Sequence, residues 1–501
     1  MRICVAQCNS TVGAVKENVQ MIQTSLEGAK EQEADLVVFP ELCVSGAPLH
    51  DLLFHKDFVD ECEGAFDEIA SRTKGLWAIL GSPAINEETV HNSAIVFHDG
   101  KVFGKQFQSY LPWEIGEKRV ALLVGEERLH EMAGDVDLVI QLAASPWTVG
   151  HAFLRRRVIC QRAQSLNVPY LFVNMVGAND EWIFDGNSLY VDAKGEVVWQ
   201  AESFKAENAI VEKNKVVDHS DVEDAHAALL LGIRDYFDKQ GVVTAHIALS
   251  GGIDSSTTAA LVTEALGPDR VQGLFFPSRF TADESQRHVE QLIGNLGISL
   301  QTVSIEPVFE CVLSVLESAG KKSRGLAFEN IQSRIRTLLL MAFSNMENSM
   351  VMGTSNKSEV TLGYGTMYGD ISGALLPLGD LFKTEVYEMA HHINSKKELI
   401  PEAVLQRAPT AELHENQHDT DDYPEYAQLD SVLRPLVLLG APVKEIAEKT
   451  GFEPVQVESL AQKMWDAEYK RRQAPCILRI SSRAFGSEAK YPIVNGLRRK
   501  H

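Results

Sequence analysis

The stretch Ser250-Gly251-Gly252-Ile253-Asp254-Ser255-Ser256 constrains this chain more than any other. It follows an apolar run of strand character, Thr244 to Leu249, and leads into one of helical character, Thr257 to Leu266. A loop of small residues between strand and helix offers backbone N–H groups and hydroxyls to an anion at the positive end of the helix dipole. Asp254 is out of place in a pure phosphate cradle, because a carboxylate repels phosphate unless a cation such as Mg2+ lies between them. The loop therefore reads as a site for pyrophosphate and a metal. An ordinary strand-to-helix turn has no need of Gly-Gly, an aspartate and the hydroxyls of Ser250, Ser255 and Ser256 together.

At 501 residues the chain has room for two or three domains with proper cores. Its net charge of −22 argues against non-specific nucleic-acid binding. No apolar run approaches the roughly 20 residues of a membrane span. The opening Met1-Arg2-Ile3-Cys4-Val5-Ala6 enters a strand with no signal-peptide pattern. The cysteines, at 4, 8, 43, 62, 160, 311 and 476, are scattered and odd in number, with no C-x-x-C pair. That usage fits free thiols in a reducing, cytoplasmic setting.

The first half alternates strands and helices. Strands are expected at 2–7, 35–39 and 77–81, and helices at 15–30 and 58–73. A hairpin of 92–97 and 101–107 turns at Asp99-Gly100. Further strands are expected at 138–142, 170–176, 188–191 and 197–201, and a helix at 153–165. The reading is an α/β domain over residues 1–215.

The segments "VVFPELCVSG", "NSAIVFHDGKVFG", "AASPWTVG" and "NDEWIFDGNSLYVDAKGEVV" resemble the carbon–nitrogen hydrolase, or nitrilase-like, amidase domain, in the order that family uses. The resemblance implies an αββα sandwich whose chemistry needs a Glu base, a Lys and a Cys nucleophile. The thiolate attacks the amide, the carboxylate takes the thiol's proton, and the ammonium stabilises the oxyanion.

Transferred residue by residue, the resemblance keeps one member of that triad. Glu41 matches the base. Gln108 stands where the lysine belongs, and Gly125 where the cysteine belongs. The second match crosses a deletion after Pro112, but its register is immaterial: no cysteine lies between Cys62 and Cys160. Ser109 has nothing nearby to activate it, and Cys43 and Cys160 read as core thiols. The expectation is a silent amidase domain kept as a scaffold, a pseudo-glutaminase.

The second domain, 216–501, opens after a polar linker at 212–222 with a helix at 225–239. Strands at 245–249, 271–276, 300–305 and 349–352 repeat the βα rhythm, and Asp254, Arg279, Thr354 and Glu359 are expected on one rim. The segments "SGGIDSS", "PSRF", "ENIQSRIRTLLLMAFSN", "GTSNKSE", "GYGTMYGD", "PLGDLFKTEVY", "APTAEL" and "EYKRRQAP" resemble the NAD synthetase domain. That domain has a parallel-sheet ATP pyrophosphatase (adenine nucleotide alpha hydrolase-like) fold. With the first half in front, the whole resembles the long, glutamine-dependent form.

The resemblance implies amidation of deamido-NAD with ATP and ammonia, through an adenylate, giving NAD, AMP and pyrophosphate. It implies that Ser250, Gly251, Gly252, Asp254, Ser255 and Ser256 bind ATP, together with Arg279, Thr354, Lys383 and Thr410. Asp254 and Glu359 match Mg2+ ligands, and Asp254, Glu359 and Lys383 the catalytic set. Asn330, Arg336, Asp370 and Lys470 match deamido-NAD positions, with Glu359 beside them. Met367 departs from the pattern, since some relatives carry lysine there. A homo-oligomer is expected. Two alternatives stay open: nitrogen from glutamine by another route or partner, and a non-catalytic scaffold. The intact second set of motifs weighs against the scaffold.

Overall fold

The computed structural model describes residues 1–107, 112–125, 135–214, 216–408, 412–414 and 423–496. They divide into two compact units, Met1–Asp221 and Val222–His501.

The first unit is built on two six-stranded sheets. One runs in the order Glu207–Ile210, Ile3–Gln7, Leu36–Val38, Trp77–Asn86, Thr89–His98, Lys101–Gln106. The other runs Val197–Gln200, Leu189–Val191, Tyr170–Asn174, Leu138–Ala143, Lys118–Val124, Trp113–Ile115. Successive side chains of a strand point to opposite faces, and here both faces are covered. Ile3, Val5, Leu36, Val38 and Ile79 meet Val120, Leu122, Ile140 and Leu171 in one core between the sheets. Cys4, Ala6, Val37 and Phe39 face away, against Val19, Ile22 and Leu26 of the helix Val15–Glu31. On the far side Leu123, Val139 and Phe172 pack on Ile159 and Ala163 of the helix His151–Leu166. The layers are α, β, β, α.

Most elements fall where expected. The helix read at 58–73 is two, Lys56–Gly64 and Phe66–Ser71, divided where Gly64 weakens helix propagation. The hairpin turns at Asp99 and Gly100, both at positive φ (48° and 82°).

The second unit holds a parallel sheet, in the order Ser299–Thr302, Val271–Phe275, Ala245–Leu249, Met350–Met352, Leu375–Leu376, Cys476–Ile477. Numbered along the chain, that order is third, second, first, fourth, fifth, sixth. The expected strand at 300–305 ends at Thr302, and Ile305 instead packs into the core under the helix Glu306–Ser318. A separate apolar cluster joins the helices Tyr426–Arg434, Val443–Thr450 and Pro454–Asp466 to Phe485 and Ala489 of the tail.

Candidate active site

Strand order reverses between Ala245–Leu249 and Met350–Met352, so the chain leaves these neighbours in opposite directions and opens a crevice at their carboxyl ends. Ser250 to Gly252 follow the first of these strands, and Gly353 to Asn356 the second. Gly251 has φ of +80°, and a Cβ on it would come within 2.5 Å of the Ser285 carbonyl oxygen, so only glycine fits. The Gly252 N–H donates to Ser250 Oγ (3.3 Å), which lies 3.1 Å from Ser255 Oγ. Ser256 Oγ donates to the Gly252 carbonyl (2.8 Å). The helix starts at Ile253 rather than Thr257, which puts Asp254, Ser255 and Ser256 in its first turn.

Lys383 opens the helix Lys383–Asn394 and is 1 % exposed. Its ammonium pairs with Asp254 and, at 3.5 Å, with Glu359, and it lies 5.0 Å from the centre of the Tyr426 ring. A buried ammonium is costly unless compensated, and two carboxylates compensate it. Thus Asp254, Glu359 and Lys383, distant in sequence, meet at the crevice. Two hard carboxylates at one cationic point suit Mg2+, which takes one or two carboxylates and completes its shell with phosphates and water. Among the described residues no three His, Cys, Asp or Glu side chains gather into a self-sufficient metal cage.

Thr354 lies in the turn after Met350–Met352. Arg279, at the end of the neighbouring strand, is engaged by Glu306 and Glu310 instead of by the carboxylates at Lys383. Thr410 and Gln108 lie outside the described residues, as does Ser109.

The residues matched to deamido-NAD form a second cluster around the loop Tyr364 to Asp370. Asp370 Oδ1 accepts from Ser333 Oγ (2.8 Å) and the Thr366 N–H (2.9 Å), and Thr366 Oγ1 donates to Asn330 Oδ1 (2.7 Å). Lys470 Nζ donates to the carbonyls of Gly363 (2.7 Å) and Gly365 (2.8 Å). Arg336 Nε donates to the Phe276 carbonyl (3.1 Å). Burial pushes the Arg336 guanidinium down to about 10 and lowers the Lys470 ammonium, with Asp370 opposing the shift in both.

In the first unit Glu41 follows the strand Leu36–Val38. Its Oε2 accepts the Ala144 N–H (2.7 Å) and its Oε1 the Asn92 side chain. It lines a cavity of about 390 Å³ with His50, His91, Asn92, Trp182 and Phe184. No lysine, arginine or cysteine lines that cavity among the described residues. Gly125 ends the strand Lys118–Val124 at φ +67°, pinned by its N–H to the Leu142 carbonyl (2.8 Å). A Cβ there would stand 3.2 Å from Glu41 Oε1. Cys43 is fully buried and hydrogen-bonds the Gly81 carbonyl; burial first, then Cys8, hold its thiol well above the usual range. Burial also raises the Cys160 thiol.

Sequence reasoning missed the supports: Asn92, which holds Glu41, and Asn356, Lys357 and Asp380 behind the crevice. Asn356 did carry a signal, the N-x-x-E spacing of a helix capping box inside "GTSNKSE".

Residues 225–474 match the family described as NAD synthase, and residues 2–150 the family described as carbon-nitrogen hydrolase. The chain is 34 % identical to the glutamine-dependent NAD(+) synthetase of a Synechocystis species, over 98 % of each chain. It is 33 % identical to that of Thermotoga maritima, over 99 % of this chain and 98 % of the other. The structure of glutamine-dependent NAD+ synthetase from Acinetobacter baumannii in complex with ADP superposes with a TM-score of 0.77 at 31 % identity, covering 99 % of both chains. That from Cytophaga hutchinsonii has a TM-score of 0.84 at 18 % identity, covering 99 % of this chain and 98 % of the other, a likeness of fold. Over its full length, then, the chain belongs to the two-domain NAD synthetases, a nitrilase-like unit joined to an NAD synthase unit.

Proposed function

We propose that this NAD synthetase amidates deamido-NAD with free ammonia, and that its nitrilase-like unit hydrolyses no glutamine. One observation carries the reading: the residue facing Glu41 is Gly125, in a stretch without a cysteine from Cys62 to Cys160. A hydrogen atom cannot attack an amide, and covalent catalysis needs a nucleophile whatever base remains. The relatives are named glutamine-dependent. That name favours a second reading, in which glutamine supplies the nitrogen. Glutamate release from glutamine by the purified chain tests the proposal, which expects background.

In the synthase unit the nicotinate carboxylate of deamido-NAD attacks the α-phosphorus of ATP, and the bond to pyrophosphate breaks. Ammonia then attacks the adenylate carbonyl carbon, AMP leaves with the bridging oxygen, and the nitrogen loses a proton to give the amide. The Ser250 to Ser256 turn holds the phosphates at the helix N-terminus, and the ADP complex of the Acinetobacter baumannii relative supports the use of ATP. Lys383 supplies a buried positive charge to the departing pyrophosphate. Asp254 and Glu359 are the residues that would hold Mg2+, which when bound neutralises phosphate charge. Asn330, Arg336, Asp370, Glu359 and Lys470 receive deamido-NAD, and Arg279, Thr354 and Thr410 complete the ATP contacts.

The setting proposed is cytoplasmic. Among the described residues no helix is long and apolar enough to cross a membrane. A homo-oligomer is part of the proposal, supported by Leu326, Leu338 and Met346, which the helix Leu326–Glu347 leaves exposed.

A further inference from the structure

We propose that Asn356 is a positioning residue for the synthetase reaction, holding the Asp254 and Glu359 carboxylates at a fixed separation around Lys383 Nζ. The proposal rests on the reading of those three residues as the reacting site.

Asn356 is fully buried, and both ends of its amide are used. Its Nδ2 donates to Asp254 Oδ1 (3.0 Å), and its Oδ1 accepts the Glu359 N–H (3.0 Å). Its backbone N–H donates to Glu359 Oε2 (3.3 Å). The other oxygen of each carboxylate, Asp254 Oδ2 and Glu359 Oε1, is the one that pairs with the Lys383 ammonium. Each carboxylate is therefore gripped through one oxygen and turned so that the second meets the cation. Two like charges repel, and a residue whose side-chain amide donates to one carboxylate and whose backbone N–H donates to the other fixes the distance they keep. Aspartate at this position has no donor for Asp254, and serine lacks the reach of the amide.

The turn that carries Asn356 is itself anchored. The next residue, Lys357, has a fully buried ammonium that donates to Asp380 Oδ1 (2.6 Å), Ser481 Oγ (2.7 Å) and the Arg483 carbonyl (2.9 Å). Asp380 Oδ2 accepts the N–H groups of Ile480 (2.8 Å) and Ser481 (2.6 Å). Ser358 Oγ donates to Asp430 and accepts the Lys383 N–H (2.9 Å). One turn thus fixes both carboxylates and the start of the helix that carries the ammonium. The fully buried pair behind it leaves that turn little freedom to shift.

Asn356→Ser is the deciding variant, because serine keeps the helix N-cap while shortening the side chain and adding no charge. Three quantities are measured: the melting temperature, Mn2+ binding to the protein with ATP by electron paramagnetic resonance, and kcat. The proposal expects near-normal melting, with Mn2+ affinity and kcat each reduced about 10- to 100-fold, as for supports of a metal site. Asn356→Asp, which caps but has no donor for Asp254, is expected to lose kcat as well, so a folding defect in either variant leaves the other to decide. Wild-type Mn2+ affinity and kcat in Asn356→Ser, with Asp254→Asn inactive, overturn the proposal alone. Normal turnover in Asp254→Asn overturns the site reading beneath it.

Discussion

A β-carbon placed on Gly125 would stand 3.2 Å from Oε1 of Glu41, nearer than any separation at which that carboxylate could ignore it. On the proposed reading, Glu41 is the amidase base that remains, and the side chain it would serve is missing at Gly125. Gly125→Cys puts a thiol beside Glu41. The carboxylate disfavours the thiolate, so alkylation at position 125, followed by mass spectrometry, is expected to be slow and to quicken in Gly125→Cys/Glu41→Gln. Equal rates in the two proteins would show that position 125 does not face Glu41. Gly125→Cys by itself is expected to release no glutamate, because on the proposed reading the position matched to the lysine is a glutamine, which carries no positive charge. The positive φ at this position is expected to cost about 1–2 kcal/mol of stability.

Asp254→Asn removes one of the two carboxylates at Lys383. Loss of pyrophosphate release by at least about 100-fold is expected, the scale of removing one preorganised electrostatic group, with an unchanged far-ultraviolet spectrum. Near-normal turnover would remove Asp254 from the site.

The Lys357–Asp380 pair is buried at both partners. Breaking such a pair leaves an uncompensated charge, and Lys357→Met is expected to lose about 3–5 kcal/mol. Lys357→Met/Asp380→Asn restores neutrality and keeps an acceptor for the N–H groups of Ile480 and Ser481. Denaturant unfolding of the synthase unit's transition should show the double variant recovering at least half of that loss. A double variant no better than the single one would mean that the charge was not the issue.

Asp430 carries a pH dependence. Burial raises its carboxyl above the usual range, against hydrogen bonds from Ser358 Oγ and the Thr384 N–H. The folded value thus lies above the unfolded one, about 3.9. Its stabilising contribution is complete below the unfolded value and is lost as pH rises through the folded one. In Asp430→Asn this part of the pH dependence vanishes, so melting curves of the two proteins, compared from pH 4 upward, should diverge. Parallel curves would contradict the shift.

What could be read from the chain was what lies close in sequence. The strand Ala245–Leu249 and the small-residue turn after it are local, and the α/β alternation and the parallel character of the second sheet follow from such units. The start of the next helix was misplaced, because Gly252 serves as N-cap and the serines enter the first turn. Glu41 was legible from its segment, yet its support by Asn92 lies 51 residues away. The same holds for Asn356 with Asp254, 102 residues apart, and for Lys357 with Ser481, 124 apart. Such pairings depend on sheet order, which periodicity does not encode.

The most direct measurement of the nitrogen source is NAD formation by the purified chain from deamido-NAD and Mg-ATP, supplied in parallel with ammonium or with glutamine, with glutamate assayed in both. NAD is expected with ammonium, none above background with glutamine, and no glutamate in either. NAD formed from glutamine at a comparable rate, with one glutamate per NAD, would contradict the proposal.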